Sequence, residues 1–310
     1  MHLRVISPSE TTEQVLSYLV AEPAVANLVV HRGAAVDPAG DVVIADVARE
    51  SANEVLRELK TMGLDKNGSI ALDAVGVALS SRGSAAEKAA PGAGDDAVVW
   101  EEIEQRTGEE SRLSVTFLLF LSIATVIAGI GVLLDQPILI VGAMVVGPEF
   151  GPLAALSVGV IRRRPRVIGR SLLALTVGFA VAIVVTVLST LALNAGGLIN
   201  REMLLGARPL TDFIWRPDAL SWVIAFLAGI AGILSLTTAK SGALIGVLIS
   251  VTTVPAAGNV AVAIAYGVPD EAWGSALQLG INLGAIATAG ILTLAVQRWL
   301  SRRRRPVARA

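Results

Sequence analysis

The sequence contains no cysteine and little charge. The absence of cysteine among 310 residues excludes a disulfide framework, thiolate metal sites and a cysteine nucleophile. Only 16% of the residues are charged and 4% are aromatic, whereas a soluble domain carries about 25% charged residues. This composition excludes a single soluble globule, a disordered chain and a basic nucleic-acid binder, so we expect no nucleic-acid partner.

Sequence motifs of several enzyme classes are also missing. There is no Walker A motif, which argues against ATP-driven pumping, and no HExxH motif or other cluster of metal ligands. The hydrophobic runs hold neither a Ser/His pair nor the paired aspartates that proteolysis within a membrane would need. Gly129 and Gly131 lie in a hydrophobic run and not after a strand, so a dinucleotide site is not indicated. We therefore expect no enzymatic activity, no cofactor and no metal site.

The charges that are present divide the chain into two parts. Residues 1–112 hold 19 acidic and 10 basic residues, a net charge of −9, whereas residues 113–310 hold 7 and 15, a net charge of +8. This distribution predicts an acidic soluble domain fused to a membrane domain that crosses the bilayer several times. We assign 1–79 to the soluble domain, 80–112 to a linker and juxtamembrane helix, 113–300 to the transmembrane domain and 301–310 to a basic cytoplasmic tail.

The soluble domain shows the pattern β-α-β-β-α-β. Alternating apolar residues predict strands near 3–6, 24–31, 42–47 and 70–77, and helical spacing predicts helices over 9–20 and 51–62. This order predicts an α+β domain with the ferredoxin-like, split βαβ fold. The fold alone does not select a function, and binding a regulatory ligand or driving assembly are both open.

The second part contains six hydrophobic runs, each near or above the roughly 20 residues that a helix needs to cross a bilayer. They predict a polytopic α-helical membrane protein, because lipid offers no partner to an unpaired backbone amide. The predicted spans are 113–134, 138–160, 167–194, 220–238, 241–267 and 272–299.

Basic residues between the spans predict the orientation. Five arginines lie in 162–170, Lys240 lies between the fourth and fifth spans, and Arg302–Arg305 follow the sixth. The positive-inside rule places these segments, and with them both termini, in the cytoplasm. We expect a multi-pass protein of a bacterial cytoplasmic membrane.

The spans carry a faint internal repeat. Ala128-Gly-Ile-Gly in the first span resembles Ala228-Gly-Ile-Ala-Gly in the fourth, and Pro148-Glu-Phe-Gly151 in the second resembles Pro255-Ala-Ala-Gly258 in the fifth. A unit of three crossings that is repeated once must lie inverted in the membrane. Such 3+3 inverted repeats, with helices broken at matching positions, are typical of secondary transporters that bind substrate at the break.

The Pro-x-x-Gly segments predict where these helices are interrupted. Proline lacks an amide donor and clashes with the preceding turn, and glycine tolerates unusual dihedral angles. The freed backbone groups then bind a substrate or ion, or neighbouring helices repair a simple kink, and both interpretations stay open. The candidate binding residues in these segments are Gly147, Pro148, Gly151, Pro152, Pro255 and Gly258.

Three polar residues within the predicted spans complete the candidate site. Glu149 is the only acidic residue well inside an apolar span, and a carboxylate there must be protonated, paired or hydrated. We hypothesise that Glu149 binds a proton or cation that is coupled to transport; the alternative is that the span ends earlier and Glu149 lies near a membrane surface. Asn259 and Asn282, the latter inside Gly280-x-x-x-Gly284, either contact substrate or form hydrogen bonds between helices.

The segment Ile140-Val-Gly-Ala-Met-Val-Val-Gly-Pro-Glu-Phe-Gly-Pro152 resembles a family of bacterial and archaeal membrane proteins named for domain of unknown function 389, also called the uncharacterised hydrophobic domain. Further similarity lies in 202–209, 224–232 and 246–255, so that the resemblance covers about 110–267. Many relatives have an apolar residue where Glu149 stands, and often Pro-Pro where this chain has Pro255-Ala256. The resemblance implies a multi-span membrane domain and supplies no activity.

These observations predict a transporter that moves a small solute or ion, with a soluble domain that regulates or assembles it. Two alternatives remain: a sensor or scaffold whose soluble domain binds a ligand or partner, and a passive channel. A water-filled cavity that reaches the helix breaks would favour transport, and a fully packed bundle would favour an anchor. The expected partners are the lipid bilayer, an unidentified small solute or ion, and further copies of the chain in a homo-oligomer.

Overall fold

The computed structural model describes residues 1–75, 79–90, 98–238 and 252–303. The chain divides into two compact units, of which Met1–Glu102 forms the main part of the first and Ile103–Arg298 forms the second. We call them the sheet unit and the helical unit.

The sheet unit has the predicted order of strands and helices, apart from a 3-10 turn at Arg49–Ser51 and two extra short helices. All strand pairs are antiparallel, and the strands lie in the order β2-β3-β1-β4. The strands are β1 His2–Ser7, β2 Val25–Val36, β3 Ala39–Val47 and β4 Ser69–Asp73; the helices are α1 Ser9–Ala21, α2 Ala52–Thr61, α3 Leu64–Asn67 and α4 Ser81–Ala89. Helix α4 lies within the predicted linker, and residues 76–78 and 91–97 lie outside the described part of the chain.

The core of the sheet unit lies between one face of the sheet and helices α1 and α2. Strands β1 and β3 alternate buried and less buried positions, so that every second side chain packs against the helices. Helix α2 buries Val55 and Leu59 at helical spacing, and α1 buries Val15 and Leu19 in the same way. The two periodicities therefore meet in one apolar layer.

Asp41, near the start of β3, fixes the hairpin of β2 and β3. Its carboxylate accepts hydrogen bonds from the Gly33 backbone N–H at 2.7 Å and from Arg32 Nη1 at 3.2 Å. The Gly33 amide, the Thr12 hydroxyl and Arg32 all favour the charged form, and the pKa of Asp41 is held below its usual value. Asp41 thus contributes stability only while it is ionised.

The described part of the helical unit consists of helices and of connections between them, one of which contains a 3-10 turn at Asp212–Ile214. Ser114, Asn200 and Asp218 each cap a helix by accepting a hydrogen bond from the backbone N–H three residues later, at 3.1, 3.0 and 2.7 Å. The helices are α5 Trp100–Glu110, whose start belongs to the other unit, α6 Val115–Leu133, α7 Pro137–Val146, α8 Phe150–Arg162, α9 Pro165–Ala195, α10 Arg201–Leu205, α11 Ala219–Thr237, α12 Thr253–Tyr266 and α13 Pro269–Arg303.

Among the described residues, four helices are long and apolar enough to cross a membrane by length and composition: α6, α9, α11 and α13. Helices α7 and α8 pass the same test as a pair that is bent by 51°, which makes a fifth possible span. The remaining predicted span, 241–267, is described only from residue 252 onward, where α12 has 14 residues. Six crossings therefore stay a prediction, and the small residues Gly242, Gly246 and Ser250 lie outside the described residues.

Helix α12 corrects one part of the predicted repeat. It continues without interruption through Pro255 and Gly258, where the sequence predicted a break. Pro255 is the third residue of the helix, and a proline in the first turn removes no helical hydrogen bond because that amide has no partner there. Proline at this position begins the helix and does not interrupt it.

Gly258 has a packing role at the crossing of α12 and α6. A Cβ atom at Gly258 would lie 2.8 Å from the backbone nitrogen of Gly129 and 3.0 Å from the Cβ of Ala128. Small residues let two helix backbones approach each other in this way. The predicted close-packing pair Gly280 and Gly284 behaves differently, because no described atom lies within 4 Å of a Cβ built at either position.

Candidate functional site

The predicted interruption in the second span is present at Gly147–Glu149. Helix α7 ends at Val146, Gly147 is extended, and α8 begins at Phe150 with Glu149 as its N-terminal capping residue. Pro148 has no amide to donate, so the helical ladder cannot continue through it. Pro152 is the third residue of α8 and, like Pro255 in α12, occupies a first turn where no bond is lost. Pro148 therefore breaks the helix, and Pro152 belongs to its restart.

Glu149 is buried beside the start of α12. Its side chain is 5% exposed, and Oε1 accepts a hydrogen bond of 2.6 Å from the Thr253 hydroxyl. Its other oxygen, Oε2, has no hydrogen-bond partner among the described residues. A Cβ atom at the neighbouring Gly147 would lie 2.7 Å from Val254 Cγ2, so the break can approach α12 only because glycine stands there.

The Glu149 carboxylate lies where two helices begin. Glu149 itself precedes α8, and Thr253 is the first residue of α12. The first turns of helices leave backbone N–H groups without helical partners and carry the positive end of the helix dipole. Both features favour a negative charge at this position, which accounts for a buried acidic side chain without a basic partner among the described contacts.

Helix α5 approaches the same break from a third direction. A Cβ atom at Gly151 would lie 2.9 Å from Glu110 Oε2, so the end of α5 lies against the start of α8. Further along, Glu104 forms an ion pair with Arg162 at the end of α8. A second carboxylate is thus close to the break, and the sequence had assigned it to a juxtamembrane helix.

A cavity of about 250 Å³ lies next to this polar cluster. Apolar side chains of α7, of α11 and of the connection before α11 form most of its lining, among them Ile140, Met144, Phe213 and Ala225. Thr252 and Asn282 supply polar groups, and Asn282 Nδ2 donates a hydrogen bond of 2.9 Å to Thr252 Oγ1. Asn282 is therefore one of the residues that line a cavity near the break.

Asn259 belongs to a different polar cluster. Arg208 Nη2 donates to both carboxylate oxygens of Glu271 at 2.8 and 2.7 Å, and the exposed fractions of the two side chains are 4% and 10%. Asn259 Nδ2 donates a hydrogen bond of 2.7 Å to Ser275 Oγ and lies 3.4 Å from Glu271 Oε2. Asn259 thus supports a buried ion pair that links the connection after α10 to the start of α13.

The structure brings some of the predicted site residues together and separates others. Around the break it places Gly147, Pro148, Glu149, Gly151 and Pro152, and through Thr252 it brings Asn282 close to them. Pro255 and Gly258 lie inside α12 as helix-starting and packing residues, and Asn259 lies in the ion-pair cluster. Among the described residues, no group of three or more histidine, aspartate or glutamate side chains is placed to hold a metal ion.

Sequence reasoning missed four residues that matter for these clusters: Thr252, Thr253, Arg208 and Glu271. The two threonines carry no sequence signal beyond polarity in an apolar run. Arg208 and Glu271 lie in connections that the sequence assigned to the membrane exterior, where charged residues are ordinary. The sequence indicates the pairing of Arg208 with Glu271 only by placing a positive and a negative charge in two connections on the same side of the membrane.

Comparison with known proteins adds a family and no activity. Residues 144–288 match the family model described as "Domain of unknown function (DUF389)". An uncharacterized protein of Methanocaldococcus jannaschii is 26% identical over 207 residues, which are 65% of this chain. The chain spans 62% of the length of that curated relative. No solved structure matches the chain significantly.

Proposed function

From the geometry of the break we propose that this chain, which matches the DUF389 family model over residues 144–288, is a membrane transporter for a small solute or ion. The description of that family states no activity. One observation carries the proposal. A bent pair of apolar helices is interrupted at a buried Glu149, one oxygen of which has no described partner. Broken helices that present their first turns to a buried polar group are how secondary transporters build binding sites within the bilayer.

The proposal includes two inverted halves of three crossings each. The first half would consist of α6, the pair α7 and α8, and α9; the second would consist of α11, a span that ends in α12, and α13. Glycines at matching positions of the first helices support this arrangement. A Cβ atom at Gly129 would lie 3.0 Å from Val262 of α12 and 3.3 Å from Thr186 of α9, and one at Gly229 would lie 2.8 Å from Ala289 of α13. In both halves the first helix would therefore contact the third through a glycine.

We place both termini in the cytoplasm of a bacterial cell and the helical unit in the cytoplasmic membrane. The arginines of 162–170 support this orientation through the positive-inside rule. The sheet unit, with its ferredoxin-like order of elements, would act as a regulatory or assembly domain of a homo-oligomer. No enzymatic step is part of the proposal.

The proposal is tested by flux into vesicles. The full chain is reconstituted in liposomes that contain the pH-sensitive dye pyranine, and gradients of protons, Na⁺, K⁺ and chloride are imposed in turn. We expect at least one gradient to change the internal pH faster than in vesicles without protein. Glu149→Gln removes the titratable group and should abolish the change, Glu149→Asp should restore part of it, and Glu10→Gln in exposed α1 serves as the control.

Two outcomes would contradict the proposal. If none of the gradients changes the internal pH beyond the empty vesicles, the chain does not couple transport to protons, and a sensor or scaffold becomes the better description. If flux occurs and Glu149→Gln leaves its pH dependence unchanged, Glu149 does not bind the coupled proton and has a structural role. Size-exclusion profiles of all variants confirm that a loss of flux is not a loss of folding.

A further inference from the structure

We propose that the cavity between α7 and α11 is a binding site for an uncharged, largely apolar small solute. The inference rests on the proposed function only for the step from binding to transport. The cavity indicates the chemical class of the substrate, whereas the helix break at Glu149 does not.

The lining of the cavity disfavours ions. Its described lining residues carry no charge, and the charged groups closest along the chain have other partners. Asp218 accepts from the backbone and hydroxyl of Ser221, and Asp135 accepts from Leu210 N at 3.1 Å and Thr211 Oγ1 at 2.9 Å. An ion in this cavity would lose its hydration without gaining a counter-charge, which is strongly unfavourable.

The polar groups suit a single hydroxyl or carbonyl function. Asn282 uses its amide N–H to bind Thr252 Oγ1, and no described donor reaches Asn282 Oδ1. The Thr252 hydroxyl accepts that bond, and its own hydrogen has no described acceptor. One donor and one acceptor are therefore available side by side. Such a pair fixes the orientation of a ligand whose remaining surface is apolar.

The volume limits the size of the solute. A cavity of about 250 Å³ corresponds to about eight water molecules at liquid density and lies at the small end of ligand sites. A straight-chain alcohol of about six carbons, at about 0.8 kcal/mol for each buried CH₂ group, matches both the apolar lining and the paired polar groups.

The position of the cavity ties it to the break. Thr252, which lines the cavity, directly precedes Thr253, whose hydroxyl binds Glu149 Oε1. Leu210 and Phe213 line the cavity from the connection before α11, which Asp135 and Arg208 hold in place. A solute that contacts Thr252 would therefore lie one residue from Thr253, which binds the buried Glu149 carboxylate.

Binding is tested by thermal unfolding of the full chain in dodecyl maltoside. The probes are 1-hexanol and, as its charged counterpart, hexanoate at pH 8. We expect 1-hexanol to raise the unfolding temperature saturably, by about 2–4 °C, and hexanoate to give no saturable rise. Ala225→Leu fills the cavity from α11, Val141→Trp fills it from the more exposed edge of α7, and both should abolish the rise.

The control variant is Leu227→Phe, which enlarges an exposed residue of α11 outside the cavity and should keep the rise. The proposal is overturned if 1-hexanol gives no saturable rise, if hexanoate gives an equal one, or if the filled variants respond like the wild type. It is also overturned if native mass spectrometry finds a phospholipid that the wild type retains and Val141→Trp loses, because the cavity then holds an acyl chain. The unfolding experiment measures binding and the vesicle experiment measures flux, so the two proposals can fail separately. Binding of 1-hexanol without any flux would contradict the proposed function and leave this binding site. Flux without binding of 1-hexanol would contradict this site and leave the proposed function.

Discussion

The buried pair of Arg208 and Glu271 offers the sharpest test of how the helical unit is held together. Glu271→Gln keeps the size and shape of the side chain and removes its charge. The Arg208 guanidinium then stays buried without a counter-charge, and its Nε already lacks a described hydrogen-bond partner. Its remaining acceptors are the Asn259 amide oxygen, at 3.4 Å, and the one carbonyl oxygen of the introduced glutamine. An uncompensated buried cation is the expected result.

The structure sets the size of the effect. Side chains that are 4% and 10% exposed receive little solvent screening, so the values for surface ion pairs do not apply. Removing one partner of such a pair destabilises a protein by about 3–5 kcal/mol, whereas replacing both by apolar residues is neutral or stabilising by up to about 4 kcal/mol. We therefore expect Glu271→Gln to lose about 3–5 kcal/mol, and Arg208→Met with Glu271→Met to stay near the wild type or above it.

The assay is reversible unfolding of the full chain in mixed detergent micelles, followed by circular dichroism. Arg216→Gln is the matched control, because Arg216 pairs with Asp212 in the same connection but is 63% exposed. An exposed pair contributes about 0–1 kcal/mol, so this control should change little. If Glu271→Gln loses less than about 1 kcal/mol, or if the double variant is as unstable as Glu271→Gln, the reasoning fails.

Three further predictions follow from the described contacts. Gly258→Ala should destabilise the helical unit by about 1–3 kcal/mol in the same assay, because its Cβ atom would overlap α6, whereas Gly280→Ala should be neutral or slightly stabilising; equal effects would contradict the packing role. The pKa of Asp41 is lowered in the folded state, so its contribution to stability is present above the usual value of about 3.9 and is lost as the pH falls through the folded value. Hydrogen exchange of the β2–β3 amides should therefore accelerate below about pH 4, beyond the intrinsic change of rate, in the wild type and much less in Asp41→Asn. In this cysteine-free chain, an impermeant maleimide applied to intact cells should label Gly197→Cys but not Arg164→Cys, and the reverse result would invert the proposed orientation.

The order of elements could be predicted because it depends on local patterns. Alternating apolar residues predicted the strands of the sheet unit, and long apolar runs predicted the helices of the helical unit. The break at Gly147–Glu149 was equally local, since a proline without an amide stops the helical ladder wherever it stands after the first turn.

Pro255 shows where local patterns stop being informative. Pro148, Pro152 and Pro255 look alike in the sequence, yet Pro148 interrupts a helix and the other two stand third in one. Which role a proline takes depends on where the helix begins, and that start depends on tertiary contacts of the preceding residues.

The contacts between distant residues could not be predicted at all. Glu149 and Thr253 are 104 residues apart, and Arg208 and Glu271 are 63 apart. A single sequence indicates that a buried carboxylate needs a partner and leaves the partner open among all polar residues of the other helices. Only the packing of the helices selects Thr253 and Arg208.

The neighbouring residues Thr252 and Thr253 suggest how the proposed transporter would couple its two sites. A charged Glu149 only accepts hydrogen bonds, so in that state the Thr253 hydroxyl must donate to it across the 2.6 Å contact. A protonated Glu149 can itself donate, which frees the Thr253 hydroxyl to turn toward another acceptor, one residue from Thr252 and its bond to Asn282. Glu110, close to Gly151, is the other titratable group at this break and would influence the same step. Protonation and solute binding would thus be linked across one peptide bond, while the described lining of the cavity carries no charge.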